Sequence, residues 1–298
     1  MAAMRSLFTR ILLLAPGLCA VSGCGGVLDP QGPVGEAERI ILLNASAIML
    51  AIVIPTIIAT LAVAWWFRAS NTRAIYRPDW EYSGRIELIV WAIPMMVILL
   101  LGGITWIGSY HLDPPAPIAS ARKPIRIEVV SLDWKWLFIY PDYGVASVNR
   151  IVAPVGTPVS FRLTSATVMN SFFVPQLGTQ IYTMHGMATR LHLQADNKGS
   201  FPGLSAQFSG DGFSGMRFSY DSVDQAAFET WLTQARVSGE VLDARNYKLL
   251  TGKSSYVPPY TYRAVRPGLF DAIVDDMAEP APGHQTPPSS SHLKPLES

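Results

Sequence analysis

The residues whose types and spacing come nearest to a chemical site run from Ala206 to Ser219, as Ala-Gln-Phe-Ser-Gly-Asp-Gly-Phe-Ser-Gly-Met-Arg-Phe-Ser. Small residues, glycine turns and one methionine give this stretch the build of a metal-binding loop. It contains neither Cys nor His, and the only two cysteines of the chain, Cys19 and Cys24, lie far upstream. A copper or zinc centre of the thiolate kind cannot be made from such residues. A second candidate is Met184-His185-Gly186-Met187. Thioether and imidazole suit Cu(I), yet nothing in the sequence fixes a third or fourth ligand, so the segment reads as an ordinary loop. His192 falls on the polar phase of its segment and reads as solvent-facing. The aromatic run Trp134 to Tyr140 alternates like a strand, and packing accounts for it without a cofactor.

The elements that must position these residues follow a period of two from Ala121 onward. Ile125-Arg126-Ile127-Glu128-Val129, Val159 to Thr164 and Leu191 to Gln194 alternate apolar with polar. Turn-forming groups separate them: Pro141-Asp142-Tyr143-Gly144, Pro154 to Pro158, and Asp196-Asn197-Lys198-Gly199. Short alternating strands of this kind predict an antiparallel sandwich or barrel of about 100 residues, here 111–223. Asp224 to Arg236 predicts an amphipathic helix with Ala227, Phe228, Trp231 and Leu232 on one face. It opens a helical and aromatic region, 224–278. The Pro-, Ser- and His-rich tail, 279–298, reads as disordered.

The first part of the chain is of another kind. Of 298 residues 49% are hydrophobic and 15% charged, with the apolar excess before residue 110. The 23 basic and 22 acidic residues leave no charge imbalance that would attract nucleic acid. Residues 1–23 read as an export signal, with Arg5 and Arg10 ahead of an apolar stretch. Val21-Ser22-Gly23-Cys24 resembles the bacterial lipobox, which implies a lipid thioether on Cys24. A short segment, 24–39, precedes two charge-free runs, 40–67 and 88–110, each long enough to cross a bilayer. The arginine excess of loop 68–87 (Arg68, Arg73, Arg77 and Arg85) places it in the cytoplasm, so both ends of the chain face outward.

These features together resemble subunit II of the haem–copper respiratory oxidases, over roughly residues 24–275. Asp133-Trp134-Lys135-Trp136 resembles the Trp-x-Trp segment that opens the family's cupredoxin domain. Val168 to Pro175 and Ala206 to Ser219 match two segments that bind a dinuclear copper in the cytochrome c oxidases. At the five side-chain ligand positions this chain has Asn170, Phe208, Gly212, Met216 and Ser219. Gly-Phe-Ser-Gly-Met, Val-Met-Asn-Ser-Phe-Phe and the lipobox are similar to subunit II of the cytochrome bo-type quinol oxidases, which do without that copper.

The resemblance implies a two-helix transmembrane hairpin with an exported cupredoxin-like sandwich and a C-terminal helical and aromatic extension. It implies a place in the bacterial inner membrane as a structural subunit of a proton-pumping ubiquinol oxidase, with no catalytic residue and no cofactor in this chain. Haems and the oxygen-reducing copper would belong to subunit I. Partners would be subunit I, further small membrane subunits and membrane lipid, without cytochrome c or nucleic acid. Phe208 is expected to fill space near the former copper pocket. Glu87 stands where the family has a carboxylate at the mouth of a proton-uptake channel. A carboxylate favoured by a helix N-terminus explains Glu87 equally well. The rival readings are a cytochrome c oxidase subunit with a degenerate copper site and a stand-alone membrane lipoprotein.

Overall fold

The computed structural model describes residues 26–75 and 77–276. The signal segment, Cys24 and the tail 279–298 lie outside the described residues. The chain divides into two units: Met1–Gly35 with Pro114–Ser298, and Glu36–Asp113.

The smaller unit is a pair of helices, α1 (Pro33–Trp66) and α2 (Gly84–His111). Both are long and apolar enough to cross a membrane. At about 1.5 Å per residue either exceeds a hydrocarbon core of about 30 Å. α1 starts well before the apolar run at residue 40. Pro33 presets the first turn and Glu36 is attracted to the helix N-terminus. Hydropathy marks the stretch that suits lipid, whereas helical hydrogen bonding continues beyond it. Within the unit the helices touch where Ile41 meets Gly108; a Cβ there would come 2.8 Å from Ile41 Cδ1. Beside Pro55, Thr56 Oγ1 donates to Ile52 O at 2.8 Å, a local bond of the kind that lets apolar helices tolerate proline.

The larger unit is a two-sheet sandwich. Strands are β1 (Ile125–Leu132), β2 (Lys135–Tyr140), β3 (Val145–Val148), β4 (Arg150–Pro154), β5 (Val159–Ser165), β6 (Asn170–Phe173), β7 (Ile181–Thr183), β8 (Thr189–Leu193), β9 (Gly199–Ser205) and β10 (Arg217–Val223). The extension beyond them carries α3 (Gln225–Val237), β11 (Val241–Leu242), α4 (Ala244–Thr251), β12 (Tyr260–Tyr262), β13 (Ala264–Val265) and α5 (Leu269–Val274). One sheet has the order β12-β3-β2-β1-β5-β8 and the other β4-β10-β9-β6-β7. The sandwich is present, but not purely antiparallel: β1–β5 and β4–β10 run parallel. Both pairs join strands far apart in sequence, whose crossovers alternation alone does not reveal.

The inner faces enclose an aromatic core. Phe172 and Phe218 stack at 5.0 Å, and Trp136 meets both edge-on at 5.5 and 5.6 Å. Alternation along β2 points Trp136, Phe138 and Tyr140 into this core and Leu137 and Ile139 the other way. The second set is covered by the C-terminal extension, where Tyr247, Leu250, Phe270 and Ile273 pack on Val130, Leu132, Ala146 and Val148. β2 is therefore apolar at nearly every position because it is covered on both faces. On α3, capped by Asp224 accepting from Ala227 N at 2.8 Å, the buried face is Phe228, Trp231, Leu232 and Ala235. Ala227 itself is exposed.

Candidate functional site

The loops 166–169, 184–188 and 206–216 gather at one end of the sandwich. β6 brings Asn170 there almost fully buried, its Oδ1 accepting from Ser205 Oγ at 3.0 Å and its Nδ2 donating to Val168 O at 3.2 Å. Met216 closes the long loop, buried in the aromatic core with its sulfur 4.0 Å from Ser209 Oγ. Gly212 lies directly under the Trp134 indole, where a Cβ would fall 2.3 Å from the ring. Ser219 belongs to β10, with its backbone N–H donating to Asn149 O at 3.1 Å.

Phe208 corrects the expectation made of it. It is 72% exposed, with its ring against that of Phe213 at 5.6 Å, instead of filling a pocket. The indole of Trp134 takes up the space against the glycines. The five positions thus offer an engaged amide, an exposed phenyl ring, no side chain, a core thioether and a strand hydroxyl. They do not fit a thiolate–imidazole copper centre.

Around this end lie residues with unusual surroundings. Trp134 has a left-handed backbone (φ 66°), and its Nε1 donates to Ser209 O at 3.0 Å. The next residue, Lys135, is 2% exposed and donates from Nζ to Gly252 O at 2.6 Å and Ser254 Oγ at 2.5 Å. Burial pushes its ammonium down to about 8, against the upward pull of Asp133.

The Met184–Met187 segment does not converge on one point. His185 Nδ1 is 3.3 Å from Ser165 O, its Nε2 is 3.7 Å from Asp276, and Met187 is exposed. Among the described residues no three His, Cys, Asp or Glu side chains group as a metal site. His192 is half-buried, not solvent-facing, and its Nδ1 is sealed without a partner. The cause is the linker before β1, whose Pro114 carbonyl accepts from His192 N at 3.1 Å.

Residues 143–223 match the family model described as cytochrome c oxidase subunit II, periplasmic domain, and residues 236–281 match the COX aromatic rich motif. The cytochrome bo(3) ubiquinol oxidase subunit 2 of Pseudomonas aeruginosa is 49% identical over 88% of this chain and 80% of its own. The ubiquinol oxidase subunit 2 of Acetobacter aceti is 46% identical over 85% of this chain and 83% of its own. The chain belongs to the ubiquinol oxidase subunit 2 family. The periplasmic domain of subunit II of a Bradyrhizobium japonicum cytochrome oxidase superposes with a TM-score of 0.37 at 24% identity, covering 40% of this chain and 98% of that one.

In this member of the ubiquinol oxidase subunit 2 family, Glu87 sits in the first turn of α2, exposed, with its backbone N–H donating to Ser83 O at 3.0 Å. No ion pair joins it to Arg85 among the described residues. Cys24 lies outside the described residues. The sequence reading passed over Lys135 and Tyr256. A signal for the first was available: a lysine between two tryptophans on a strand with no other charge is a candidate for burial. Tyr256, whose ring lies on Gly215, carried none, because that contact joins positions some forty residues apart.

Proposed function

We propose that the chain serves as subunit II of a ubiquinol oxidase complex and carries no electron-transferring metal of its own. Membership of the ubiquinol oxidase subunit 2 family supports the complex and its quinol chemistry. The observation that carries the metal-free reading is the occupancy of the five ligand positions, above all Gly212 beneath Trp134 and Asn170 bonded to Ser205. A lipid-soluble quinol is oxidised at membrane depth, so an extramembrane metal that receives electrons from a soluble carrier has no task here. The exported domain then acts as a scaffold on the outer face of subunit I, which would hold the haems, the oxygen-reducing copper and the quinol site. Small membrane subunits and lipid complete its surroundings, and cytochrome c has no role.

Two apolar helices and a domain of the periplasmic oxidase type fit an inner-membrane protein with an exported domain. In this reading Cys24 adds a lipid anchor, and Glu87 places a carboxylate at the cytoplasmic boundary of α2, where it can take up a proton.

The test is purification of the tagged full-length chain in mild detergent, with a haem spectrum and a metal count. The expected result is haem-bearing partners in the preparation. A chain that migrates alone would favour the stand-alone lipoprotein. Copper in excess of the partner's own, held by this chain after the subunits are separated, would overturn the metal-free reading.

A further inference from the structure

The loop from Ala206 to Met216 is poorly equipped to hold its own shape. It contains Gly210, Gly212 and Gly215, each of which widens the conformational freedom that must be lost on folding. Only Gly212, Gly215 and Met216 of the loop are buried. Its internal order is one short helical turn, in which Phe213 N donates to Gly210 O at 3.1 Å, Gly215 N to Gly212 O at 3.0 Å and Met216 N to Phe213 O at 3.0 Å, together with the Ser209 Oγ contact to the Met216 sulfur. A bound metal would cross-link a loop of this build, but the residues here do not fit one.

Two aromatic side chains grip it from outside. Trp134 covers Gly210 and Gly212 and bonds Ser209 O. Tyr256 lies on Gly215, where a Cβ would come within 3.0 Å of the ring, and its hydroxyl is 3.2 Å from Ser214 Oγ. Both are bulky residues in the left-handed region, Trp134 at φ 66° and Tyr256 at φ 55°. Such a conformation is strained and persists where the surroundings enforce it.

The surroundings that enforce it are a strap, residues 252–257, tied to β2 and its neighbours on either side of Tyr256. On one side Lys135 Nζ bonds Gly252 O and Ser254 Oγ, and Ser254 N donates to Asp133 O at 3.5 Å. On the other, Asn149 Nδ2 donates to Val257 O at 2.8 Å while its Oδ1 accepts from Trp136 N at 2.8 Å. Lys253 Nζ adds a cation over the Trp134 ring, 6.0 Å from its centre. The lysine is buried, and the carbonyl and hydroxyl of the strap are what satisfy its ammonium there.

We infer that residues 252–257, within the matched aromatic-rich segment, form a brace that holds the metal-free loop 206–216 in one conformation, with Lys135 as its pin. The brace gives that segment a function within the chain: it replaces by protein contacts the cross-link that a metal centre provides.

Hydrogen–deuterium exchange of the full-length chain in detergent, read by mass spectrometry, tests this. Tyr256 is 72% exposed, so Tyr256→Ala leaves the cores intact and should fold. The brace predicts at least ten-fold faster exchange in peptides covering 206–216, with β1, β2 and β5 unchanged. Tyr256→Phe, which keeps the ring on Gly215, should retain most of the protection. Lys135→Met should deprotect 252–257 and 206–216 together. Unchanged exchange of 206–216 in Tyr256→Ala would overturn the inference. So would a Lys135→Met chain whose strap opens while the loop stays protected. Haem co-purification is a separate readout, so failure of the oxidase reading and failure of the brace are distinguishable.

Discussion

Gly212 and Lys135 show how single positions bind this chain to its present role. Any side chain at 212 must displace the Trp134 indole, since even a Cβ would lie 2.3 Å from it. Gly212→Cys is therefore expected to lower stability by about 1–3 kcal/mol, as overpacking does. Denaturant unfolding of the purified chain measures it. Trp134→Leu made together with it should cost less than the sum of the two single changes, because the clash disappears with the indole. Full additivity would mean that the two residues do not compete for space. Lys135 makes a prediction about pH. Its folded value near 8 lies below the unfolded 10.5, so between these limits the folded chain binds fewer protons. Stability tied to this group rises with pH across that window, where the unfolded chain still binds the proton. The Tm of the wild type should climb relative to Lys135→Met between pH 8 and 10.5. A difference that stays flat would mean that the ammonium is not desolvated.

Among the elements, α2 carries the clearest functional question. Its first turn presents Glu87 close to an arginine-rich loop, and its remaining turns are apolar enough to cross a membrane. If the carboxylate takes up protons for the complex, Glu87→Gln should slow oxygen consumption with a soluble quinol, normalised to haem, with haem content unchanged. An amide of the same shape cannot exchange a proton at this pH range. If the residue only complements the helix N-terminus, turnover should be unaltered and stability should fall by about 0.3–1 kcal/mol. Unaltered turnover would end the proton-uptake role. β2 makes the opposite kind of element, fixed by burial on both faces. Its lysine and three aromatics serve the core and the strap at once, which no surface strand could do.

For the whole molecule, the proposed lipid anchor would be redundant for membrane attachment. The lipobox reading puts a diacylglyceryl thioether on Cys24, and two helices of membrane-crossing length follow it. Cys24→Ser should abolish incorporation of labelled palmitate while the chain stays in the membrane fraction, with only a modest loss of oxidase activity. The two spanning helices insert effectively irreversibly, so removal of the lipid leaves the chain in place. Equal incorporation into the Ser variant would exclude Cys24 as the acceptor.

Much of this architecture could be read from residue patterns. The two helices follow from charge-free runs, because hydrocarbon accepts no unpaired charge and requires every backbone group to be bonded internally. The sandwich follows from alternation, and the missing copper ligands from residue type alone. Boundaries were less legible, and α1 begins at Pro33 because caps and dipoles, not hydropathy, decide where a helix starts. The parallel pairings β1–β5 and β4–β10 were not legible at all, since they join strands distant in sequence. The same is true of the site. Residue type alone excluded a thiolate–imidazole copper centre at Asn170, Phe208, Gly212, Met216 and Ser219. Only the tertiary structure decided what stands there instead: Phe208 turned outward, Trp134 over Gly212, and Tyr256 brought to the loop by a strap that is tied to Lys135, more than a hundred residues earlier in the chain. Residue type limits which bonds can form. Close packing of segments remote in the chain decides which of them do.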